Sequence, residues 1–418
     1  MAPLSYVTAR PGTYFGFQSG PVAQRSLSRC CCDLAGSFDA RRSFGLIVEA
    51  KKGSLTRFEP RNYQRRLTGV ARCQKLNVVS KEAPPVDLQD FICSGVLAKK
   101  VGATPERVAE RLDEWYKLGN QLAHFLKFDE DGKLSEDEKI RIYQYYLPVY
   151  FWVRDQLTDH RSRFASGAPI PPFVVGISAP QGCGKTTIVE SLDYLFNATG
   201  SPAAAMSMDD VYLTAEGQDK LAADYAGNSL VELRGNAGSH DLQLGTETLK
   251  SLLKLTSDDT KTMIPRYNKA ARNGRGDRAD PSKWTEVKGP LELVLFEGWM
   301  LGFEPQPEEA VTAVDPELAL VNKIMEKYYD AWYQYIDSWI IVQVGDVNWV
   351  YDWRLQAEIQ MRAKGKGGMT DEEVQDFVSR YIPAYKAYLP SLYKDGPKNS
   401  KPEKTLRLDI DQNRNPIG

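Results

Sequence analysis

The chain has 418 residues, 42% hydrophobic and 26% charged, which suffices for roughly two or three domains with a sizeable apolar core. The formal net charge is −2, with no surplus of Lys and Arg to follow a nucleic-acid backbone, so no nucleic-acid partner is expected. Apolar runs such as Trp339 to Val344 are far too short to span a bilayer, which leaves no transmembrane helix and no membrane partner.

The N-terminus is chemically distinct. Met1 to Cys32 holds no Asp or Glu, while Arg10, Arg25 and Arg29 stand among Ser, Ala and Gly. Basic, hydroxylated and acid-poor composition without a compact apolar core reads as a transit peptide and not a secretory signal. Val48-Glu49-Ala50, ahead of Lys51-Lys52, resembles a plastid processing site. Residues 1–50 are read as a disordered plastid transit peptide and 51–84 as a linker or mature N-terminal segment. Cys30, Cys31 and Cys32 would leave with the leader; Cys73, Cys93 and Cys183 remain, without the spacing of a zinc site.

Residues 85–165 read as a helical module. Thr104-Pro105-Glu106 is a cap with Pro at the first helical position, and Val108, Leu112, Trp115, Tyr116, Leu118 and Leu122 keep a helical period. Ser135 and Glu138 form a capping box ahead of Ile140, Tyr143, Tyr146, Leu147, Tyr150 and Phe151. Between them, Lys127 to Glu138 imitates a calcium loop through Asp129, Asp131, Gly132 and Glu138. Lys127 at the first ligand position removes a ligand and repels the ion, so the segment is read as an interhelix loop.

After a Gly- and Pro-rich linker, residues 166–418 read as an α/β domain. Phe173, Val174, Val175 and Ile177 form a buried-strand run, followed by Ala179, Gly182, Cys183, Gly184, Lys185, Thr186 and Thr187 and then by helical spacing up to Gly200. Strand, Gly-rich turn, Lys-Thr and helix are the parts of a phosphate-binding loop, with Ala179 where Gly is usual. Lys185 would reach the β- and γ-phosphates of ATP, and Thr186 would ligate Mg²⁺. Cys183, near a helix N-terminus, is expected to have a lowered thiol pKa, although a small residue that merely fits the loop is the favoured reading.

Further strands are predicted at Ala203–Met208, Leu293–Phe296, Trp339–Val344 and Leu406–Ile410. The pattern predicts an open, mostly parallel sheet of five or more strands flanked by helices. Ligands gather at the carboxyl ends of such strands. There stand Asp209 and Asp210, one suited to take a hydroxyl proton and either suited to cap the next turn. Glu297 follows the third strand as a metal-holding acid, and Gly298 is read as letting the backbone pass the phosphates. Arg234, His240, Arg266 and Tyr267 lie in polar or basic loops suited to a small anionic substrate. Arg354 and Arg362 precede the Gly-rich stretch Lys364 to Gly368, which marks a lid around 350–370.

Together, SMDDVY, RGNAGSHD, PRYNKAARNGRGDRAD, FEGWMLG and WRLQAE…MRAKGKGGMTDEEVQDFVSRYIPAY closely resemble the plant-type D-glycerate 3-kinases. These lie in the P-loop kinase group with phosphoribulokinase, uridine kinase and pantothenate kinase, and the resemblance covers roughly residues 85–418. It implies ATP- and Mg²⁺-dependent phosphorylation of D-glycerate to 3-phosphoglycerate, in photorespiration, in the chloroplast stroma. Asp209 matches the group's proton-accepting Asp, Lys185 and Thr186 the P-loop Lys and metal ligand, and Glu297 the acid of the Walker B strand. Arg354 and Arg362 match lid arginines approximately. Arg266 and His240, with Arg234 behind them, are candidates for the glycerate carboxylate by charge and position. Cys183 matches the P-loop cysteine of light-regulated phosphoribulokinase, whose downstream partner this chain lacks. Two other readings stay open: a kinase of this group for ribulose 5-phosphate, uridine or pantothenate, and a non-kinase P-loop protein.

Overall fold

In the computed structural model the described residues are 83–418 without 129–132, 364, 366, 367 and 399. The leader, its processing triplet, Cys73 and the middle of the calcium-like loop lie outside them.

Helices come first: α1 (Leu88–Ser94), α2 (Pro105–Ala109), α3 (Leu112–Leu126), α4 (Glu136–Lys139) and α5 (Leu147–Ser162). The Thr104 hydroxyl accepts the Arg107 N–H, so α2 starts where the sequence predicts. The period read through Val108 to Leu122 does not form one helix. The Arg111 N–H bonds Val108 O, three residues back, and the tightened turn ends α2 before α3 restarts. The Ser135–Glu138 box forms in both directions. Ile140–Tyr146 then widens into a π-helix that buries Arg141, Ile142, Tyr143, Tyr145 and Tyr146.

From residue 173 strands and helices alternate: β1 (Phe173–Ser178), α6 (Lys185–Ala198), β2 (Ala203–Ser207), α7 (Ala215–Asp224), α8 (Ser229–Glu232) and α9 (Leu242–Leu252). The basic stretch from Pro265 to Arg278, expected as loop, and its flanks hold two small antiparallel pairs, β3 (Lys261–Ile264) with β6 (Thr285–Lys288) and β4 (Tyr267–Asn268) with β5 (Asp277–Arg278). Then follow β7 (Leu293–Gly298), α10 (Glu308–Val314), α11 (Leu318–Met325), α12 (Tyr328–Ala331) and β8 (Ser338–Val344). The chain closes with α13 (Trp349–Ala363), α14 (Asp371–Ser379), α15 (Ile382–Asp395), β9 (Thr405–Ile410) and β10 (Pro416–Ile417).

Among the described residues the main sheet has six strands in the order β10-β9-β8-β1-β7-β2. All neighbours are parallel except β9 and β10. This is the predicted open, mostly parallel sheet. β1 and β7 are buried along their whole length, as strands covered on both faces must be. The core continues from the sheet into the N-terminal helices. Tyr150 of α5 lies with its ring 4.8 Å from Phe196 of α6 and hydrogen-bonds Thr199 Oγ1 at 3.1 Å.

Candidate active site

β1 ends at Ser178 and α6 begins at Lys185, so residues 179–184 make the predicted turn. Gly182 (φ 79°) and Gly184 (φ 94°) occupy the left-handed region, where a side chain is strained. Gly182 is constrained twice, because a Cβ there would lie 2.6 Å from Trp353 Cβ. Ala179 is fully buried and its N–H donates to Gly298 O at 3.2 Å, so the methyl fills core where Gly is usual. The positive end of α6 faces the turn. Thr186 is exposed there and Thr187 half-buried.

Lys185 Nζ forms an ion pair with Glu297, both side chains being largely enclosed. Burial pulls the ammonium pKa down, but the charges of Glu297 and Asp209 outweigh it and raise it. Cys183 departs from expectation. It is buried, and burial pushes the thiol up to about 11 over the opposing pull of Lys185. The helix end does not make it acidic.

β2 gives way to a 3₁₀ turn, Met208–Val211, that separates the two adjacent aspartates. Asp210 Oδ2 accepts the Ser207 N–H at 3.1 Å and Arg266 Nη1 at 2.7 Å, so Asp210 caps the turn and anchors Arg266. Burial raises its pKa to about 6, against the pull of Arg266. Asp209 is the more open of the two. Its Oδ1 accepts the Tyr212 hydroxyl at 2.8 Å and its Oδ2 accepts Lys269 Nζ at 2.5 Å. Burial would raise this carboxyl, yet Lys269 and Lys185 hold it well below the usual range. In register, Ser207 pairs with Glu297 and Ser178 with Gly298, so the turn, Asp209 and Glu297 leave three adjacent parallel strands at the same edge. Gly298 is also required by packing: a Cβ there would collide with Met208 Sδ.

The acceptor-side candidates separate by what they touch. Arg234 donates to Gly274 O at 2.8 Å and also to Arg275 O, and lies 5.5 Å over the Tyr267 ring, so it ties down the basic loop. Arg272 and Arg275 pair with Asp219, and Arg278 with Asp241. Arg266 Nε donates to Thr285 Oγ1, while its buried Nη2 has no hydrogen-bond partner among the described residues. His240 is buried, stacked on Tyr212 at 4.7 Å, and bonded through Nδ1 to the Tyr328 hydroxyl at 2.7 Å. Burial lowers its pKa to about 4, which leaves it neutral at physiological pH. Tyr267 is buried against Tyr212 at 5.3 Å.

The two arginines expected to serve a lid are paired within their own region. Arg354 joins Glu358 one turn along α13 and lies 5.1 Å over Phe377, and Arg362 bonds Asp371 at 2.8 Å. Sequence reasoning missed two cations at the site. Lys269 was visible only as one member of a basic stretch. Arg414 donates from Nε to Gly182 O at 2.7 Å, and nothing near it in the chain signals that contact. The hydroxyl of Tyr385 accepts the Gln181 N–H at 3.0 Å, a further support the sequence did not reveal.

Residues 174–395 match the phosphoribulokinase/uridine kinase family. The chain is 57% identical over 331 residues to the chloroplastic D-glycerate 3-kinase of Arabidopsis thaliana, an alignment covering 79% of this chain and 72% of that protein. It is 35% identical to the kinase mug58 of Schizosaccharomyces pombe, over 62% of this chain and 97% of the other. Among solved structures, the D-glycerate 3-kinase from Cryptococcus neoformans var. grubii superposes with a TM-score of 0.59 at 33% identity, over 65% of this chain and 97% of that one. Matched through its strand-and-helix region and along most of its length, the chain belongs to the phosphoribulokinase/uridine kinase family.

Proposed function

We propose that the protein is a D-glycerate 3-kinase, transferring the γ-phosphoryl group of ATP to D-glycerate to give 3-phosphoglycerate. The observation that carries the mechanism is the position of Asp209, an ionised carboxylate at the C-terminal edge of β2, beside both the P-loop strand pair and the basic acceptor loop. The 57% identity to the Arabidopsis enzyme supports D-glycerate as the acceptor. The acid-free leader and the chloroplastic relative support a chloroplast protein, and we place it in the stroma, in photorespiration.

The backbone N–H groups of residues 182–187 and the α6 N-terminus bind the phosphates of ATP. Lys185 leaves Glu297 to neutralise phosphate charge. Thr186 and Glu297 would hold Mg²⁺, a set of hard oxygen donors that suits an ion keeping most of its ligands as waters and phosphates. When bound, Mg²⁺ supplies neutralisation of the charge on the β- and γ-phosphates. Asp209 accepts the proton of the glycerate hydroxyl as the new P–O bond forms and the bond to the leaving β-phosphate oxygen breaks. Once Lys269 turns to the glycerate carboxylate, the largest charge depressing Asp209 is withdrawn, and an ordinary carboxylate suffices because that proton moves late in a loose transition state. Arg266, through the Nη2 that has no partner among the described residues, and Lys269 receive the glycerate carboxylate. Arg234 and Tyr267 hold the loop that carries them, while Asp210 fixes Arg266. His240 serves as a neutral wall and not as a cation. Arg354 and Arg362 would exchange Glu358 and Asp371 for phosphate oxygens on lid closure.

The test is ATP-dependent phosphate transfer to D-glycerate, L-glycerate, ribulose 5-phosphate, uridine and pantothenate. Turnover of D-glycerate alone supports the reading; turnover of another acceptor alone keeps the chemistry and overturns the substrate.

A further inference from the structure

The turn between β9 and β10 lies against the P-loop, and it is held there from two sides. Arg414 sits in this turn with φ 69°, a left-handed conformation uncommon for a residue with a side chain. Its Nε donates to Gly182 O at 2.7 Å, its Nη2 donates to Gln356 Oε1 at 3.1 Å, and its guanidinium stacks 5.2 Å from the Trp353 ring. The Trp353 indole in turn donates to Gln412 O at 2.8 Å. From the other side comes Arg141, buried in the π-helical stretch Ile140–Tyr146. Its Nη2 donates to Asn413 O at 3.1 Å and its Nε to Asn415 Oδ1 at 3.4 Å.

A trans peptide unit is planar, with its C=O and N–H pointing in opposite directions. A cation that captures Gly182 O therefore aims the Cys183 N–H the other way. In a loop that binds anions with its backbone, the orientation of each such N–H decides whether it serves the ligand. Gly182 has φ 79° and no side chain, so the loop itself holds this peptide weakly.

We infer that Arg414 is a positioning residue for the nucleotide, fixing the 182–183 peptide so that its N–H faces the phosphate, and that Arg141 holds Arg414 in place. The helical segment before the sheet thereby gains a function: its π-helix turns Arg141 inward to brace the far end of the chain over the P-loop. The inference rests on the reading of residues 179–187 as a nucleotide-phosphate site.

The experiment is calorimetric titration of ADP into the full chain, beside steady-state kinetics and thermal melts, for Arg414→Gln, Arg414→Lys, Arg141→Met and the Arg141→Met/Arg414→Gln double variant. Loss of the charge-assisted bond to Gly182 O predicts ADP Kd and KM for ATP raised about tenfold in Arg414→Gln, with KM for D-glycerate unchanged whatever small fall in Tm the lost Gln356 and Trp353 contacts bring. Arg414→Lys keeps a single donor for Gly182 O and recovers part of the loss. Arg141→Met weakens ADP in the same sense, and the double variant is no worse than Arg414→Gln alone, because the two act in series. Wild-type affinity for ADP in Arg414→Gln overturns the inference, as does a fall in Tm with both KM values moved equally. If Arg414→Gln does not fold, unchanged ADP affinity in Arg141→Met overturns it. A wild-type chain that binds no ADP removes the P-loop reading itself, a separate result.

Discussion

Lys269 covers Asp209: its Nζ lies 2.5 Å from Oδ2, while the other carboxylate oxygen takes the Tyr212 hydroxyl. The lysine rides on an exposed loop and the aspartate at a strand edge, so the pair can separate without disturbing the core. An acceptor that brings its own carboxylate offers Lys269 a substitute partner and leaves Asp209 free for the hydroxyl. Asp209→Asn is expected to lower kcat by roughly 10²–10⁴ while ADP binding is kept. Lys269→Met is expected to raise KM for D-glycerate about tenfold or more with ADP affinity unchanged. An unaltered KM would reduce Lys269 to a resting counter-charge.

Arg266 and Asp210 form the most enclosed pair on the acceptor side, with side chains 14% and 8% exposed. Arg266→Met strands the carboxylate and should cost about 3–5 kcal/mol. Asp210→Asn in the same chain should recover most of that, since no charge is then left uncompensated. Asp210 titrates near 6 in the folded protein, above the ordinary carboxylate value. Arg266 is what pulls this pKa down against burial, so in Arg266→Met it rises further. Above about pH 6 the wild-type carboxyl is already ionised while the variant must still ionise it unpaired, and the Arg266→Met penalty should grow from pH 5 to pH 7. Melting curves across that range check both statements.

His240 gives the opposite sign. Its folded pKa is about 4 and an unfolded histidine titrates near 6.5, so between these values the unfolded chain binds more protons. Stability is full above pH 6.5 and falls as pH drops toward 4, by at most about 3 kcal/mol from this ring. His240→Phe should flatten that limb of the Tm–pH curve. Taking wild type minus variant removes the contribution of Asp210. A difference curve with no slope between pH 4 and 6.5 would show that the ring is not buried neutral.

Cys183 should behave as packing and not as a switch. With its thiol near 11, the thiolate is scarce at neutral pH, and iodoacetamide should label it far more slowly than an exposed thiol. Cys183→Ala should retain activity within a few-fold. Rapid labelling at pH 7.5 with loss of ADP binding would contradict this.

The strands were legible because a covered parallel strand needs a short run of apolar residues between breakers, as Phe173–Ser178 and Leu293–Gly298 have. The P-loop and the two aspartates were legible as local spellings. Which aspartate caps the turn was not, because that depends on Arg266, 56 positions away. Arg414 is 232 positions from Gly182, so no local pattern could join them. The π-helix was hidden because Ile140, Tyr143, Tyr146, Leu147 and Tyr150 also satisfy an ordinary helical period. β3 and β6 carry exposed polar residues and give little apolar alternation to read.

The pairing of Ser207 with Glu297 and of Ser178 with Gly298 has a consequence for redesign. The spacing between Asp209, Glu297 and the turn at 179–184 is set by backbone ladders of three neighbouring strands. The groups proposed to face the acceptor hang instead from the two loops at 234–241 and 266–278. Exchange of those loops should therefore retarget the enzyme to other small alcohols while the phosphoryl-transfer hardware keeps its dimensions.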